Sequence, residues 1–251
     1  MVRSIGVVSA KGGVGKTIST INISAALMEL KKSVLMVDAD IKASGLGLQL
    51  GMFHFPFTLN DVLEKKTGLL EAMYIHSSGM RIIPASLCLR NTRISRLASV
   101  FNDPRLEDNI VMVDAPPGME SNSQAVIKAC KETVIVTLPE LPSIADVMKS
   151  ISAARKNKCK ILGIIVNRYR RRYREQIKPK EIESVCGLPV IGVVPEDSTL
   201  SKGVFRGNPG MFINPYSPAC IEYKKIASRI AGEEYRESMT TIKRLIWKMK
   251  K

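Results

Sequence analysis

The chain contains the stretch SAKGGVGKT at residues 9–17. Its last residues fit the phosphate-binding pattern G-x-x-x-x-G-K-[ST], in which glycines let backbone N–H groups converge on phosphate oxygens. The first glycine of the pattern is replaced by Ala10, and an additional lysine, Lys11, follows it. The stretch therefore predicts a site in which Lys16 reaches the β- and γ-phosphates and the Thr17 hydroxyl binds Mg²⁺.

Around this loop, short apolar, β-branched runs alternate with helical patterns. The predicted strands are Ile5–Ser9, Val34–Val37, Arg81–Pro84, Ile110–Val113, Thr133–Leu138, Ile161–Val166 and Val190–Val194. The predicted helices are Lys16–Leu30, Ser143–Asn157, Lys180–Val185 and Pro218–Ala231. This alternation predicts an α/β fold, a doubly wound, mainly parallel sheet with helices on both faces. Ligands of such sheets bind beyond the carboxyl ends of the strands.

The composition sets limits on partners and on cellular location. With 251 residues, 45% of them hydrophobic, the chain suits one large domain. Its net charge of +15 favours an anionic partner, namely nucleic acid, an anionic membrane or a nucleotide. The five cysteines are far apart and form no C-x-x-C, which predicts buried thiols in a reducing cytoplasm. Residues 1–10 are expected to form a strand rather than a signal peptide, and no apolar run is long enough to span a bilayer.

Aspartates follow two of the predicted strands. Asp38 and Asp40 follow Val34–Val37, and side chains at i and i+2 of an extended segment point the same way. Asp114 ends the apolar run IVMVD, where its carboxylate would hold Mg²⁺ through water. Exposed turns and ordinary strand ends are the alternatives.

The segment KGGVGKT resembles the deviant Walker A loop of the MinD/ParA family of P-loop ATPases. The resemblance extends over about residues 2–232 and includes TLNDVL at 58–63 and Pro139-Glu140. It implies ATP and Mg²⁺ as cofactors, and an ATP-dependent homodimer in which Lys11 contacts the phosphates bound by the partner subunit. One departure is Ser44-Gly45, where many relatives carry an asparagine.

The resemblance also implies roles for individual residues. Lys11, Lys16 and Asp40 would be catalytic, Asp40 by orienting the attacking water. Asn167 would bind adenine, and because no guanine-specifying N-K-x-D motif is present, ATP is favoured over GTP. The predicted metal site is Thr17, Asp38 and Asp114. The predicted nucleotide-binding residues are Lys11, Gly12, Gly13, Val14, Gly15, Lys16, Thr17, Ile18, Asn167, Arg168, Pro195, Glu196 and Asp197.

A basic segment lies late in the predicted domain. Residues 155–180 hold eleven basic residues against one acidic residue, Glu175, a net charge of +10. Its centre, Arg168–Arg174, interleaves arginine with tyrosine, a pattern that suits phosphate contacts and stacking. A solvated face, an acidic protein partner and nonspecific DNA all stay open as explanations.

The sequence divides into an ATPase domain at 1–232, a polar tether at 233–238 and a basic amphipathic tail at 239–251. On a helix, the apolar side chains of the tail share one face and basic side chains occupy the rest, as in interfacial membrane helices. The tail resembles the membrane-targeting tail of MinD, and this implies peripheral attachment to the inner face of the cell membrane. A packed terminal helix or disorder are alternatives. The predicted membrane contacts are Ile242, Leu245, Ile246, Trp247 and Met249.

Together these features favour a MinD-like ATPase that positions division or other machinery and responds to an unidentified protein partner or activator. A ParA-like DNA-segregation ATPase and a regulator of flagellar number are the alternatives. A metal-cluster carrier of the related Mrp type is disfavoured, because the chain has no C-x-x-C.

Overall fold

The computed structural model describes residues 2–88, 92–107 and 109–235. The predicted amphipathic tail, 239–251, lies outside the described residues, as does the end of the tether at 236–238. No helix in the described part of the chain has the length and apolar character needed to cross a membrane.

Eight strands form a single sheet in the order β3-β4-β2-β5-β1-β6-β7-β8. All neighbouring strands are parallel except β3 and β4, which are antiparallel. The strands are β1 (Arg3–Val8), β2 (Val34–Asp38), β3 (Tyr74–Ile75), β4 (Arg81–Ile83), β5 (Ile110–Asp114), β6 (Glu132–Thr137), β7 (Lys160–Tyr169) and β8 (Val190–Pro195). The central strands β2, β5 and β6 are buried along their whole length, as expected for strands covered on both faces. Their parallel pairing confirms the mainly parallel sheet predicted from the sequence.

Helices cover both faces of this sheet, and each face has its own apolar core. The α-helices are α1 (Lys16–Glu29), α2 (Leu46–Gln49), α3 (Leu59–Leu63), α4 (Leu97–Val100), α5 (Ser121–Ala129), α6 (Leu141–Lys156), α7 (Pro179–Cys186), α8 (Ser198–Phe205), α9 (Gly210–Ile213) and α10 (Pro218–Ala231). Two short 3₁₀ helices lie at Ile94–Arg96 and Pro104–Leu106. Buried residues of α1 and α10 belong to one core, and those of α5, α6 and α7 belong to the other. The predicted doubly wound architecture is therefore confirmed.

The structure differs from the sequence prediction in its short elements, in the end of one strand and in one cysteine. The sheet gains the edge strand β3, and the connections gain the helices α2, α4, α5, α8 and α9, none of which the sequence predicts. Strand β7 continues past its predicted end at Val166 to Tyr169, because Tyr169 pairs with Pro195 of β8 after a shift in register. The prediction of buried thiols is wrong for Cys88, which is exposed, whereas the other four cysteines are buried.

Sheet register brings the predicted acidic residues to one edge. Asp38 at the end of β2 lies opposite Asp114 at the end of β5, and Val7 of β1 is the other neighbour of Asp114. The loop of residues 9–15 leaves β1 at this same edge and enters α1. The fold thus places the phosphate-loop sequence and two aspartates next to each other, at the carboxyl ends of adjacent parallel strands.

Candidate nucleotide-binding site

The loop at residues 9–17 has a conformation that depends on glycine. Gly13 and Gly15 have φ angles of 75° and 96°, in the left-handed region that other residues rarely adopt. Gly15 is the N-cap residue of α1, so the unpaired N–H groups of the first helical turn lie beside the loop. Gly12 is exposed and lies against Pro117. A helix N-terminus and a curled glycine loop together make an anion site, and the protein supplies both here.

Lys16 is the first residue of α1, and it is only 7% exposed. Burial lowers the pKa of its ammonium group, whereas the nearby carboxylates of Asp114 and Asp40 act in the opposite direction. An ammonium group held in this position is suited to pair with phosphate oxygens entering from the loop. Val14 and Ile18 are also among the predicted nucleotide-binding residues. Their side chains pack into the apolar core, so a nucleotide would contact only their backbone.

Asp114 is joined directly to α1. Thr17 Oγ1 donates a hydrogen bond of 2.6 Å to Asp114 Oδ2, and Thr20 Oγ1 donates one of 3.2 Å to Asp114 Oδ1. Thr20 was not among the predicted site residues, although its position one helical turn after Lys16 could have indicated it. Burial, and then the neighbouring Asp38 carboxylate, raises the pKa of Asp114 to about 7.

Asp38 organises the segment that follows β2. It is fully buried, and its Oδ2 atom accepts hydrogen bonds from Ser44 Oγ at 2.8 Å and from the Gly45 and Leu46 N–H groups at 3.2 and 3.1 Å. Burial raises its pKa to about 6, and these hydrogen bonds oppose that increase. Ser44, the position at which the sequence departs from the family pattern, therefore bonds directly to a predicted metal-site carboxylate.

Asp40 has different surroundings from Asp38. It is partly exposed, and its Oδ1 atom accepts a hydrogen bond of 3.1 Å from the Ala43 N–H group. Burial raises its pKa, and the Lys16 ammonium is among the groups that oppose the increase. Asp40 is thus the more accessible carboxylate of the pair, as a group that orients water would need to be.

Lys11 lies on the outer side of the loop. Its Nζ atom is 3.1 Å from Glu140 Oε2, and the two side chains are 45% and 50% exposed. An exposed pair of this kind contributes about 0–1 kcal/mol, so Lys11 can leave Glu140 at little cost. The loop backbone is fixed separately, because Ser9 Oγ donates to the Lys11 carbonyl and accepts from the Lys11 N–H group.

Asn167 connects β7 to the phosphate loop. Its Nδ2 group donates a hydrogen bond of 2.7 Å to the Val14 carbonyl, and the side chain is buried. A methyl group at Gly15 would lie 2.2 Å from the same nitrogen atom, so glycine is required there for this contact as well. Arg168, next along the strand, is exposed and has a φ of 55°.

The loop after β8 is held at both of its acidic residues. Glu196 forms an ion pair with Arg170, and this pair is exposed. Asp197 caps α8 by accepting from the Thr199 N–H group at 2.8 Å, and it also accepts from the Ala219 N–H group at 3.2 Å. The predicted base-binding loop, Pro195–Asp197, is therefore a rigid connection between β8, α8 and α10.

The oxygen atoms beside the loop fit a Mg²⁺ ion that is bound by the protein and by phosphate together. Within the described ranges, no group of three or more His, Cys, Asp or Glu side chains could hold a metal ion by itself. Mg²⁺ seldom uses an all-protein cage and is usually bound by one or two carboxylates together with phosphate oxygens and waters. The Thr17 hydroxyl and the buried carboxylates of Asp114 and Asp38, adjacent to the loop, fit that type of site.

Comparisons with known proteins give a consistent result. A family model described as the CobQ/CobB/MinD/ParA nucleotide binding domain matches residues 5–210. An uncharacterized ATP-binding protein of Methanocaldococcus jannaschii is 34% identical over 242 residues, 95% of this chain and 91% of its own. The septum site-determining protein MinD of Pyrococcus horikoshii, solved in complex with Mg-ADP, is 31% identical, with a TM-score of 0.86 over 92% of this chain and 96% of its own. MinD from a MinC:MinD complex of Aquifex aeolicus is 27% identical, with a TM-score of 0.82 over 94% of this chain and 98% of its own.

Proposed function

The chain belongs to the CobQ/CobB/MinD/ParA family of nucleotide-binding domains, and we propose that it is a Mg²⁺-dependent ATPase of the MinD type. It hydrolyses ATP to ADP and phosphate, dimerises when ATP is bound, and attaches peripherally to the inner face of the cell membrane. In this state it positions division or other cellular machinery through a protein partner.

The observation that supports this proposal most strongly is the contact between Thr17 and Asp114. These residues are 97 positions apart, yet the hydroxyl and the carboxylate meet at 2.6 Å beside the buried Lys16. A glycine turn that binds no ligand does not require a buried lysine, a threonine hydroxyl and a buried strand-end carboxylate to lie together. This combination is the one that a Mg²⁺–triphosphate requires.

In the proposed mechanism, the loop N–H groups and Lys16 bind the β- and γ-phosphates and hold them in line for attack. Asp114 and Asp38, with the Thr17 hydroxyl, would hold Mg²⁺, which would neutralise charge on the phosphate oxygens. Asp40, the accessible carboxylate, accepts a hydrogen bond from the attacking water and orients it. The Mg-ADP bound by the Pyrococcus horikoshii relative supports both cofactor assignments.

Dimerisation completes the proposed site. The Lys11 side chain lies on the outer side of its loop, and its ion pair among the described residues is the exposed one with Glu140, so it can reach a phosphate bound by a second subunit. A cation supplied by the partner stabilises charge on the transferred phosphoryl group, and this links hydrolysis to dimer formation. The MinC:MinD complex of Aquifex aeolicus supports a further protein partner for the dimer.

Membrane attachment is assigned to residues 239–251. Each basic residue near an anionic surface contributes about 1 kcal/mol, whereas ordering a helix of about a dozen residues is unfavourable in isolation. One tail therefore binds weakly, and two tails on one dimer bind together at high effective concentration. Because only the dimer carries two tails, attachment to the membrane depends on ATP in the same way as dimerisation does.

Cosedimentation with anionic liposomes, in the presence of Mg-ATP or Mg-ADP, tests this function. The full chain should bind liposomes with ATP and not with ADP, and a chain ending at residue 238 should hydrolyse ATP but remain unbound. Lys16→Ala is the control that removes ATP use while keeping the tail. Liposome binding by the shortened chain would refute the membrane assignment.

The DNA-segregation alternative rests on the exposed arginines of 168–174. The same sedimentation assay with duplex DNA in place of liposomes separates the two. Because nonspecific DNA binding comes from phosphate contacts, it would persist without the tail and weaken steeply with salt. Locating the tagged protein in cells, beside the Lys16→Ala and shortened variants, distinguishes division-site from flagellar positioning.

A further inference from the structure

A large groove opens at the carboxyl edge of the sheet, outside the phosphate loop. It has a volume of about 1020 Å³ and lies between the loop after β7, the end of β8 and the start of α10. Neither Asn167 nor any residue of the 9–17 loop lines it. Of the residues predicted to bind the nucleotide, those that line the groove are Pro195–Asp197, so it lies next to that site and is largely separate from it.

The groove has an apolar floor. Val193, Pro195, Pro218 and Ile221 contribute aliphatic surface, and Tyr216 adds an aromatic ring. All five residues are at least partly exposed. An apolar floor with a few polar groups at its margin is typical of a binding site. The volume of the groove is at the upper end of the ~300–1,000 Å³ range of small-molecule pockets.

The acidic groups of the groove are already engaged. Glu196 pairs with Arg170, and Glu222 accepts from the Val193 N–H group at 3.1 Å and lies 3.5 Å from Lys225. Asp197 caps α8, as described above. Each of the three carboxylates thus has a partner already, and with four basic side chains lining it the groove keeps a net positive charge.

The remaining arginines of the groove have no such partner. Arg171 and Arg172 line the groove and are exposed, and within the described residues neither forms an ion pair. Their loop is fixed by bonds from the Arg170 N–H group to Gln176 Oε1 and from the Tyr173 N–H group to the Arg170 carbonyl. Two unpaired guanidinium groups are thus presented on a closed turn above an apolar floor.

We propose that this groove binds an acidic peptide segment of a partner protein, one that alternates carboxylates with apolar side chains. Guanidinium groups bind carboxylates through paired N–H donors, and clusters of arginine are a recurring way to recognise acidic motifs. The apolar floor favours a peptide over a nucleic acid as the ligand of this groove. Phosphate contacts need only exposed cations and would leave Val193, Pro218 and Ile221 unused, whereas a peptide uses the floor and the arginines together.

The test uses the full chain without nucleotide, so that it does not depend on ATPase activity. A random peptide library is selected on the chain and counter-selected on Arg171→Glu/Arg172→Glu. The enriched peptides are synthesised with a fluorescent label, and their dissociation constants are measured by anisotropy. Lys128→Glu/Lys131→Glu is the matched control, because it makes the same change of charge at exposed positions that do not line the groove.

The enriched peptides should be net acidic and contain aliphatic or aromatic residues. Their binding should weaken at least about tenfold in Arg171→Glu/Arg172→Glu and stay within about twofold in the control. Enrichment of neutral or basic peptides, or no enrichment over the counter-selected variant, would overturn the proposal. Tighter binding of a single-stranded or duplex DNA, or of phosphatidylglycerol vesicles, with the same dependence on both arginines would assign the surface to that ligand instead.

Discussion

Replacing Asp114 with asparagine should stabilise the nucleotide-free protein at pH 8 and abolish Mg²⁺-dependent ATP hydrolysis. The carboxyl group is fully buried beside Asp38, and its pKa is raised to about 7 from an ordinary value of 3.8, first by burial and then by that neighbour. Above pH 7 the protein therefore holds a buried negative charge that the unfolded chain keeps in water. Asparagine keeps the shape of the side chain and removes the charge.

The size and sign of the effect follow from these pKa values. Between about pH 4 and pH 7 the folded protein retains a proton that the unfolded chain has lost, so the free energy of unfolding falls as pH rises. The difference between 3.8 and about 7 corresponds to at most about 4 kcal/mol. The pKa of about 7 already includes the attraction of Asp114 to Lys16. Asparagine offers one acceptor oxygen where the carboxylate offers two, to Thr17 and Thr20, and the lost hydrogen bond leaves a stabilisation of about 1–3 kcal/mol above pH 7.

Urea unfolding followed by circular dichroism between about pH 4.5 and 8 measures the difference between variant and parent. It should grow as pH rises to about 7 and then stay constant. Asp103→Asn is the control, since the Arg105 side chain lowers the pKa of that carboxyl and its removal should give no stabilisation. An Asp114→Asn protein that is no more stable than the parent at pH 8, or a difference that does not change with pH, would show that the Asp114 charge does not destabilise the fold.

Three other changes test separate parts of the site. Ser44→Ala removes the 2.8 Å donor to Asp38 and should lower the free energy of unfolding by about 1–2 kcal/mol at pH 8. In the same urea assay the loss should be smaller at pH 5, where Asp38 is protonated, and an equal loss at both values would contradict it. Asn167→Ala should weaken ATP binding about tenfold by calorimetry, because it loses the 2.7 Å bond to the Val14 carbonyl and the predicted adenine contact. Lys16→Ala should reduce ATP turnover at least about a hundredfold in a phosphate-release assay, and near-normal turnover would remove Lys16 from the mechanism.

Much of the fold was predictable because its strands are short, apolar and buried on both faces. Val34–Asp38 and Ile110–Asp114 are examples in which the sequence pattern and the observed strand agree almost to the residue. Strand β3 was not predictable, since it has two residues and one of them, Ile75, is 70% exposed. Helix α5 was not predictable because its first four residues, SNSQ, are polar, so no apolar stripe marks where the helix begins.

The phosphate loop was predictable from local sequence, because backbone geometry there requires glycine at fixed spacing. Contacts between distant segments were not. The pairing of Lys11 with Glu140 joins residues 129 positions apart, and the bond from Thr20 to Asp114 joins residues 94 positions apart. The hydrogen bond from Ser44 to Asp38 joins residues that are close in sequence. It still depends on how the chain turns after β2, and no motif in the sequence specifies that turn.

In the proposed dimer, ATP joins two copies of the chain, and Lys11 of each copy acts on the phosphates of the other. Light scattering after size-exclusion chromatography of Lys11→Ala in Mg-ATP tests this arrangement, with turnover measured on the same sample. Because the exposed ion pair with Glu140 contributes little to stability, the variant should fold normally and bind ATP, but stay monomeric and hydrolyse ATP far more slowly than the parent. A Lys11→Ala protein that elutes as a dimer and turns over ATP at the parental rate would contradict the account.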